Sequence, residues 1–440
     1  MRKYSSILIY KKGVFSTLVD MNFQNYLKAI GPGILFASTA IGVSHLVQST
    51  RAGAFYGFEL VWAIILANLF KYPFFEFGSR YANVTGKSII DGYQKIGNWV
   101  LISYFIITIG SMFFVTAAVG AVTAGFMDNL FGISNMVENG GLITVFLLFI
   151  MCTAVLLIGK YKLLDASIKI IGGLLLISTI TAFILALLNG PTVPYNSENS
   201  PALTTAVSIS FLIALMGWMP TAVDLSSWNS LWTVERIKQS RYHPKLKETL
   251  FDFNFGYIIS ALLSLCFVTL GAYLVFGTNK VMPDQSSAFA NEVISLYTQT
   301  IGNWSYFLIA IAAFSIMLGT SFGIFDGYAR ALKRCIELIF SKTEENSTNI
   351  YSSSLVILAI GSFFIIFFLG KSLKFLVDLA TTISFLIAPV VAIVNYKLVT
   401  SKKYIDARGI PPFWLKTLSW LGILFLSGFS IFFVVFKLFQ

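Results

Sequence analysis

Charged residues are scarce in this chain, and their scarcity excludes a water-soluble fold. Only 12% of the 440 residues are charged, whereas soluble globular domains carry roughly 25%. The hydrophobic fraction is 56% and the mean hydropathy is +0.78. A soluble domain of this length could not bury so much apolar surface. The sequence therefore predicts an all-α polytopic membrane protein whose surroundings are the lipid bilayer.

Cysteines and nucleotide-binding motifs are also sparse or missing, which excludes several classes of function. Cys152, Cys266 and Cys335 lie in or beside apolar segments without CxxC spacing, which predicts packing rather than a disulfide framework or metal cluster. No glycine-rich phosphate loop follows a strand and no His-Glu-x-x-His motif occurs, so we expect no ATP-driven pump, no enzyme and no bound cofactor. The net charge of +11 is dispersed between apolar segments, which argues against a nucleic-acid partner.

Eleven segments are apolar enough to cross a bilayer, which takes about 20 residues of helix. They cover residues 30–54, 57–80, 99–126, 140–159, 165–189, 204–235, 252–277, 303–330, 351–370, 373–398 and 412–437. The segment at 286–300 is too polar to cross and predicts an amphipathic helix in a loop. Residues 1–29 predict a cytoplasmic lead-in, 30–398 a transmembrane transporter core, and 399–440 a loop and the eleventh helix.

The distribution of lysine and arginine predicts the orientation of these helices. With the N-terminus in the cytoplasm, the cytoplasmic pieces hold 25 of the 31 basic residues, and the loops at 127–139 and 190–203 hold none. We therefore expect a cytoplasmic N-terminus and an external C-terminus, in a plasma membrane or bacterial inner membrane. The sequence leaves the oligomeric state open.

Two of the eleven predicted helices contain residues that interrupt a helix. The sixth has Pro220 within Gly217–Thr221, and the first has Gly42–His45 at its middle. Breaks in helices one and six are typical of transporters built from two inverted five-helix repeats, with the solute bound where the breaks meet. The sequence thus predicts a leucine-transporter-like core with repeats at approximately 30–189 and 204–398.

Ionisable side chains within membrane helices usually face a cavity or a partner. They are His45, Arg51, Lys71, Glu76, Asp224, Asp326 and Asp378. The spacing of Glu76 and Arg80 predicts an ion pair within one helix. Lys71 is expected to pair with Asp378 or Asp224, and Asp224 either with a basic group or with the solute. His45 and Met219 are candidate ligands of a soft metal ion, although single histidines and methionines in helices more often serve as core.

Several short motifs resemble the Nramp (natural resistance-associated macrophage protein) family of divalent-metal transporters. They are Gly31-Pro32-Gly33, Ala52-Gly53-Ala54, Val84-Thr85-Gly86-Lys87 and Met219-Pro220. The resemblance implies eleven helices, a cytoplasmic N-terminus, and proton-coupled transport of a metal held between the two breaks.

The resemblance also assigns the metal site, and the chain departs from the family pattern there. Aligned on Ala52-Gly53-Ala54, the family's Asp-Pro-Gly-Asn falls on Gly42–His45, which removes the only carboxylate. The family's methionine is Met219, its carbonyl ligand belongs to Met216, and its histidine is Thr221. Helix three has no acidic residue before Asp128 and helix nine has no arginine, so the expected proton-relay groups are missing as well.

Three interpretations of function follow. The first is a secondary transporter that moves a divalent transition metal through His45 and Met219. The second is a transporter of the same fold for an organic or uncharged solute, lodged by small residues and stacked on Trp218. The third is a non-transporting scaffold or receptor. The candidate site residues are Gly42, Ser44, His45, Met216, Trp218, Met219, Thr221 and Asp224.

Overall fold

A computed structural model describes Tyr26 and residues 28–196, 200–278, 282–341, 347–370 and 372–439. For 159–172, 174, 175 and 347 it describes the backbone alone. Every regular element in these residues is helical, which confirms the predicted all-α fold. The predicted lead-in at 1–29 lies almost entirely outside the described residues.

The helices are numbered here in chain order. They are α1 Pro32–Ala40, α2 Thr50–Tyr56, α3 Val61–Thr85, α4 Ile89–Ile96, α5 Asn98–Phe131, α6 Gly140–Asn189, α7 Ala206–Gly217, α8 Leu225–Ser240, α9 Leu246–Leu274, α10 Ser286–Ile301, α11 Tyr306–Phe340, α12 Ser347–Leu369, α13 Leu373–Thr400 and α14 Phe413–Leu438. Helix α10 coincides with the amphipathic helix predicted at 286–300.

Seven helices within the described residues are long and apolar enough to cross a membrane on their own. They are α5, the first part of α6, α9, α11, α12, α13 and α14. Three of the other four predicted segments have identifiable reasons to fall short. The first and sixth are interrupted, and the second carries the charges of Lys71, Glu76 and Arg80. The fifth lies partly outside the residues whose side chains are described.

Helix α6 differs from the prediction in its continuity. Two segments were expected, at 140–159 and 165–189, whereas the structure has one helix of 50 residues. The intervening Lys160–Leu164 contains no proline, and lysine and leucine favour the helical backbone. The drop in hydropathy there therefore occurs without a break in the helix.

The first interruption lies between α1 and α2, where the sequence predicts it. Helix α1 ends at Ala40, and the backbone resumes at Ser44–Ser49 as a π-helical turn that leads into α2. Gly42 lies between these pieces and against α11, because a Cβ atom there would come within 2.4 Å of the Thr320 Oγ1 atom. A glycine at this position allows α11 to approach the break.

The second interruption separates α7 from α8 and is also where the sequence predicts it. Helix α7 ends at Gly217 and α8 begins at Leu225, so residues 218–224 lie outside both helices. Pro220 has no backbone N–H to continue the helical hydrogen bonds. Helix α3 packs against α8, and α13 packs against α7.

Helix α9 supports both halves of the first interrupted helix. Its Asp252 carboxylate accepts hydrogen bonds from the backbone N–H of Gly31 at 3.1 Å and of Gly33 at 2.7 Å, at the start of α1. A carboxylate at a helix N-terminus satisfies N–H groups that have no partner within the helix. Farther along, a Cβ atom on Gly53 would lie 2.0 Å from the Val268 carbonyl oxygen, so glycine allows α2 and α9 to pack closely.

Candidate functional site

A cavity of about 30 Å³ lies where the two interruptions meet. Helices α5 and α11 complete its walls. The lining residues are Thr39, Ala40, Val43, Ser44, Val115, Val119, Trp218, Thr221, Ala222, Asp224, Leu225, Trp228, Thr320, Ile324 and Tyr328. A cavity of this size holds about two water molecules. It therefore has room for a small ion.

Asp224 is the one acidic residue among the described residues that line this cavity. It is half-buried at the start of α8, and it interacts electrostatically with Lys71. Hydroxyl groups lie around it. Thr39 donates its hydroxyl proton to the Leu35 carbonyl at 2.7 Å, which leaves its oxygen lone pairs for a cation. The cavity thus presents oxygen atoms and one negative charge.

The structure places His45 outside the cavity wall, in the core. Its ring is fully buried, with Nε2 2.8 Å from the Ser260 carbonyl oxygen and Nδ1 2.6 Å from the Ser44 hydroxyl. Because a carbonyl only accepts, Nε2 carries the proton. The Ser44 hydroxyl lies beside Nδ1 and also donates to the Ala40 carbonyl. Nε2 therefore has no lone pair for a metal ion, and the ring is not among the groups that line the cavity.

Three other predicted residues also lie away from the cavity lining. Gly42 packs against Thr320 on α11. Met216 and Met219 are fully buried in the core, and the carbonyl of Met216 accepts a hydrogen bond from Lys71 at 2.6 Å. The Met216 carbonyl faces α3 and is not on the cavity, because Lys71 binds it there. Of the eight predicted site residues, the structure brings Ser44, Trp218, Thr221 and Asp224 together.

Lys71 binds the second break through hydrogen bonds that the sequence does not reveal. Its ammonium group donates to the carbonyls of Met216 at 2.6 Å, Gly217 at 2.8 Å and Thr221 at 3.2 Å. Asp378, one of its two expected partners, is paired instead with Arg51 at 2.9 Å. Lys71 and its other expected partner, Asp224, interact electrostatically.

Trp228 is a cavity residue that sequence reasoning missed. Its indole lines the cavity, and its Nε1 atom is buried with no hydrogen-bond partner in the described part of the chain. Its spacing in the sequence could have indicated this position, because Trp228 follows Asp224 by four residues and so lies on the same face of α8. Trp218 also lines the cavity, and its Nε1 donates to Ser384 at 2.9 Å.

Ion pairs lie on the helices beyond the cavity. The Asp326 carboxylate is fully buried on α11 and accepts hydrogen bonds from Trp232 Nε1 at 2.8 Å, Arg330 Nε at 2.7 Å and the Tyr351 hydroxyl at 2.7 Å. A buried carboxylate with this many partners is held by contacts within the protein and has a structural role. The predicted pair of Glu76 and Arg80 is present within α3, with Nη2–Oε1 at 2.5 Å.

Comparison with known sequences points to one family. A family model described as "Natural resistance-associated macrophage protein-like" matches residues 33–436. The uncharacterized protein PM0681 of Pasteurella multocida (strain Pm70) is 34% identical over 434 residues, which cover 98% of this chain and 97% of that protein. The metal transporter Nramp3 of Oryza sativa subsp. japonica is 25% identical over 311 residues, which cover 66% of this chain and 53% of that protein.

Solved structures share the fold. The manganese transporter of Eremococcus coleocola, in complex with an aromatic bis-isothiourea substituted compound, has a TM-score of 0.70 at 13% identity, covering 93% of this chain and 86% of that chain. Mhp1, a nucleobase-cation-symport-1 family transporter in a closed conformation with bromovinylhydantoin bound, has a TM-score of 0.57 at 11% identity, covering 93% of each chain. These likenesses confirm the predicted leucine-transporter-like fold.

Proposed function

The chain belongs to the Nramp family, and on that premise we propose that it is a secondary transporter that carries a divalent metal ion through the cavity beside Asp224. The names of its relatives support the class of cargo, since one is a metal transporter and another a manganese transporter. In this proposal the ion is cargo. The chain itself holds no cofactor and catalyses no reaction.

The observation that carries the proposal is the position of Asp224. Its carboxylate lies at the break between α7 and α8, on a cavity of about 30 Å³ that the break between α1 and α2 also lines. The expected carboxylate on the first helix is missing, and Asp224 supplies one from the other break. Negative charge beside a small cavity favours a compact cation over an anion or a neutral solute.

The donor atoms at the cavity indicate which metals are preferred. Asp224, Thr39 and Thr221 offer oxygen atoms, whereas the imidazole of His45 is engaged by Ser44 and Ser260. Oxygen ligands suit Mg²⁺ and Mn²⁺, while soft ions such as Cu⁺ prefer thioether or thiolate sulfur. We therefore propose a hard divalent ion as the cargo, in place of the soft ion that His45 and Met219 suggested.

The other two interpretations receive less support from the site. A cavity that admits about two water molecules favours a small ion over an organic solute of many heavy atoms. A scaffold or receptor would have no need of a carboxylate on a cavity between two broken helices, because a charge within a membrane protein is costly to retain.

We also propose the topology that the basic residues predict. The N-terminus lies in the cytoplasm and the C-terminus outside, in a plasma membrane or bacterial inner membrane. The repeats span approximately 30–189 and 204–398, and α14 is an addition to the core. Labelling of single introduced cysteines at Thr192 and Arg241 by an impermeant thiol reagent tests this, because only the first position should react from outside intact cells.

The test of the cargo is metal uptake by purified protein in liposomes that contain a metal-sensitive dye. We expect Mn²⁺ or Mg²⁺ uptake by the wild-type protein, and a loss of about tenfold or more in Asp224→Asn, since one lost charge contact worth 1.4 kcal/mol changes affinity tenfold. Glu138→Gln is the matched control, because it removes an equal charge from an exposed loop position. Wild-type rates of uptake in Asp224→Asn would contradict the proposal.

A further inference from the structure

Lys71 lies at the middle of α3 with no exposure to solvent. Its ammonium group makes hydrogen bonds to the backbone carbonyls of Met216, Gly217 and Thr221, at 2.6, 2.8 and 3.2 Å. An ammonium group has three N–H donors, so these three bonds use its full capacity. All three acceptors belong to the second break or to the end of α7.

The three carbonyls form a site for a cation. Carbonyl groups at the C-terminal end of a helix have no partner within the helix, and together they carry about half a negative charge. The break between α7 and α8 adds the carbonyl of Thr221, so the three oxygens converge on one point. In transporters with broken helices, unwound carbonyls of this kind coordinate small monovalent cations. Here the point of convergence is occupied by a charged group of the protein.

We propose that the Lys71 ammonium group is a built-in cation that permanently fills a monovalent-cation site at the second break. The protein therefore needs no Na⁺ or K⁺ at this position, and its transport does not depend on either ion. The fixed charge also keeps the carbonyl of Met216 from acting as a ligand of the cargo ion. This role does not depend on which solute crosses the membrane.

The proposal differs from an ordinary structural role in what should replace the lysine. If the carbonyls form a cation site, removing the side chain leaves space and negative potential that a free cation can fill. If Lys71 serves only to fill space and satisfy hydrogen bonds, no salt should compensate for its loss. The effect of free cations on the stability of the variant therefore distinguishes the two roles. This measurement does not depend on which solute the protein transports.

The first test is thermal unfolding of purified Lys71→Ala in choline, sodium, potassium and methylammonium chloride at equal concentration. We expect a lowered midpoint in choline, and a rise of about 3 °C or more in at least one of the other salts, because a ligand that binds only the folded state stabilises it. Lys71→Met should show no rise, since its side chain fills the space. The exposed Lys402→Ala is the control, with a midpoint like that of the wild type in every salt.

Equal midpoints of Lys71→Ala in all four salts would overturn the proposal. The second test needs no variant and applies even if Lys71→Ala does not fold. Wild-type protein in liposomes should take up metal at the same rate when choline replaces all Na⁺ and K⁺. A requirement for either ion would overturn the proposal, whereas a failure of Asp224→Asn to alter uptake would count only against the cargo site.

Discussion

Arg51 on α2 and Asp378 on α13 form a bidentate ion pair. The Nη1–Oδ1 distance is 2.9 Å and the Nη2–Oδ2 distance is 3.2 Å, and Gln48 bonds to both partners. The Arg51 guanidinium also lies 4.9 Å from the ring centroid of Phe211 on α7. One arginine thus ties the second half of the first broken helix to α13 and to the first half of the sixth. In the proposed topology these contacts lie on the external side of the cavity.

Breaking this pair should open the cavity toward the external side. Asp378→Asn removes the charge that holds Arg51, and a buried charge without its partner is strongly unfavourable, so the arginine should move toward water. The measurement is the rate at which a cationic thiol reagent modifies a cysteine placed at Thr221, on the cavity wall. We expect at least a threefold faster modification in Asp378→Asn, on the order of 0.7 kcal/mol in the opening equilibrium.

The control for this experiment is Lys374→Gln, which changes an exposed charge on the same external pocket as Asp378. It should leave the rate of modification unchanged. If Asp378→Asn and Lys374→Gln behave alike, the ion pair does not control access to the cavity.

A second prediction concerns His45 and Met219, the residues that the sequence singled out as metal ligands. His45→Ala should lower the free energy of unfolding by about 1–3 kcal/mol, because it removes the buried hydrogen bonds of the ring to the Ser260 carbonyl and the Ser44 hydroxyl. Met219→Leu conserves volume and should cost less than about 1.5 kcal/mol. Neither change should alter the affinity for Mn²⁺ by more than about twofold, as measured by calorimetry. A loss of binding in a folded His45→Ala protein would return the histidine to the ligand set.

The sequence predicts the positions of the two breaks, but not the contacts that the side chains of His45 and Lys71 make. Pro220 and Gly42 act on the backbone next to them, so the positions of both interruptions follow from local rules. The direction of His45 depends instead on how the π-helical turn meets α9. Lys71 lies 145 positions before the nearest carbonyl that it binds. Such pairings arise from the packing of distant helices, and no local pattern encodes them.

Asp224 is a residue whose position at the break the sequence predicts, but whose partner it does not. A carboxylate just after a predicted break was visible in the sequence, and so was the tryptophan four residues later. The sequence did not decide whether Asp224 pairs with a basic group or contacts the solute. In the structure, Lys71 is close enough to interact electrostatically with Asp224, but its hydrogen bonds go to backbone carbonyls. Asp224 lines the cavity, where the proposed cargo would bind.

The last prediction concerns the carboxylate missing from the first helix. Placing it back at Gly42 should fail, although the comparison with the family pattern points to that position. A Cβ atom at Gly42 would come within 2.4 Å of Thr320 Oγ1 and 2.6 Å of its Cγ2, closer than a Cβ atom approaches its neighbours in folded proteins. Gly42→Asp should therefore lower the yield of folded protein. Gly42→Ala should lower it too, because the obstacle is the Cβ atom and not the charge.

A carboxylate two residues earlier should succeed. Ala40 lines the cavity together with Asp224, so Ala40→Asp adds a second negative charge to the same space. We expect its affinity for Mn²⁺ to rise by about tenfold, which corresponds to one additional charge contact. Ala40→Asn is the matched control, since it has nearly the same shape without the charge. If Gly42→Asp folds and binds Mn²⁺ more tightly than Ala40→Asp does, the first break faces the cargo through Gly42, and Ala40 is not the position from which a ligand reaches it.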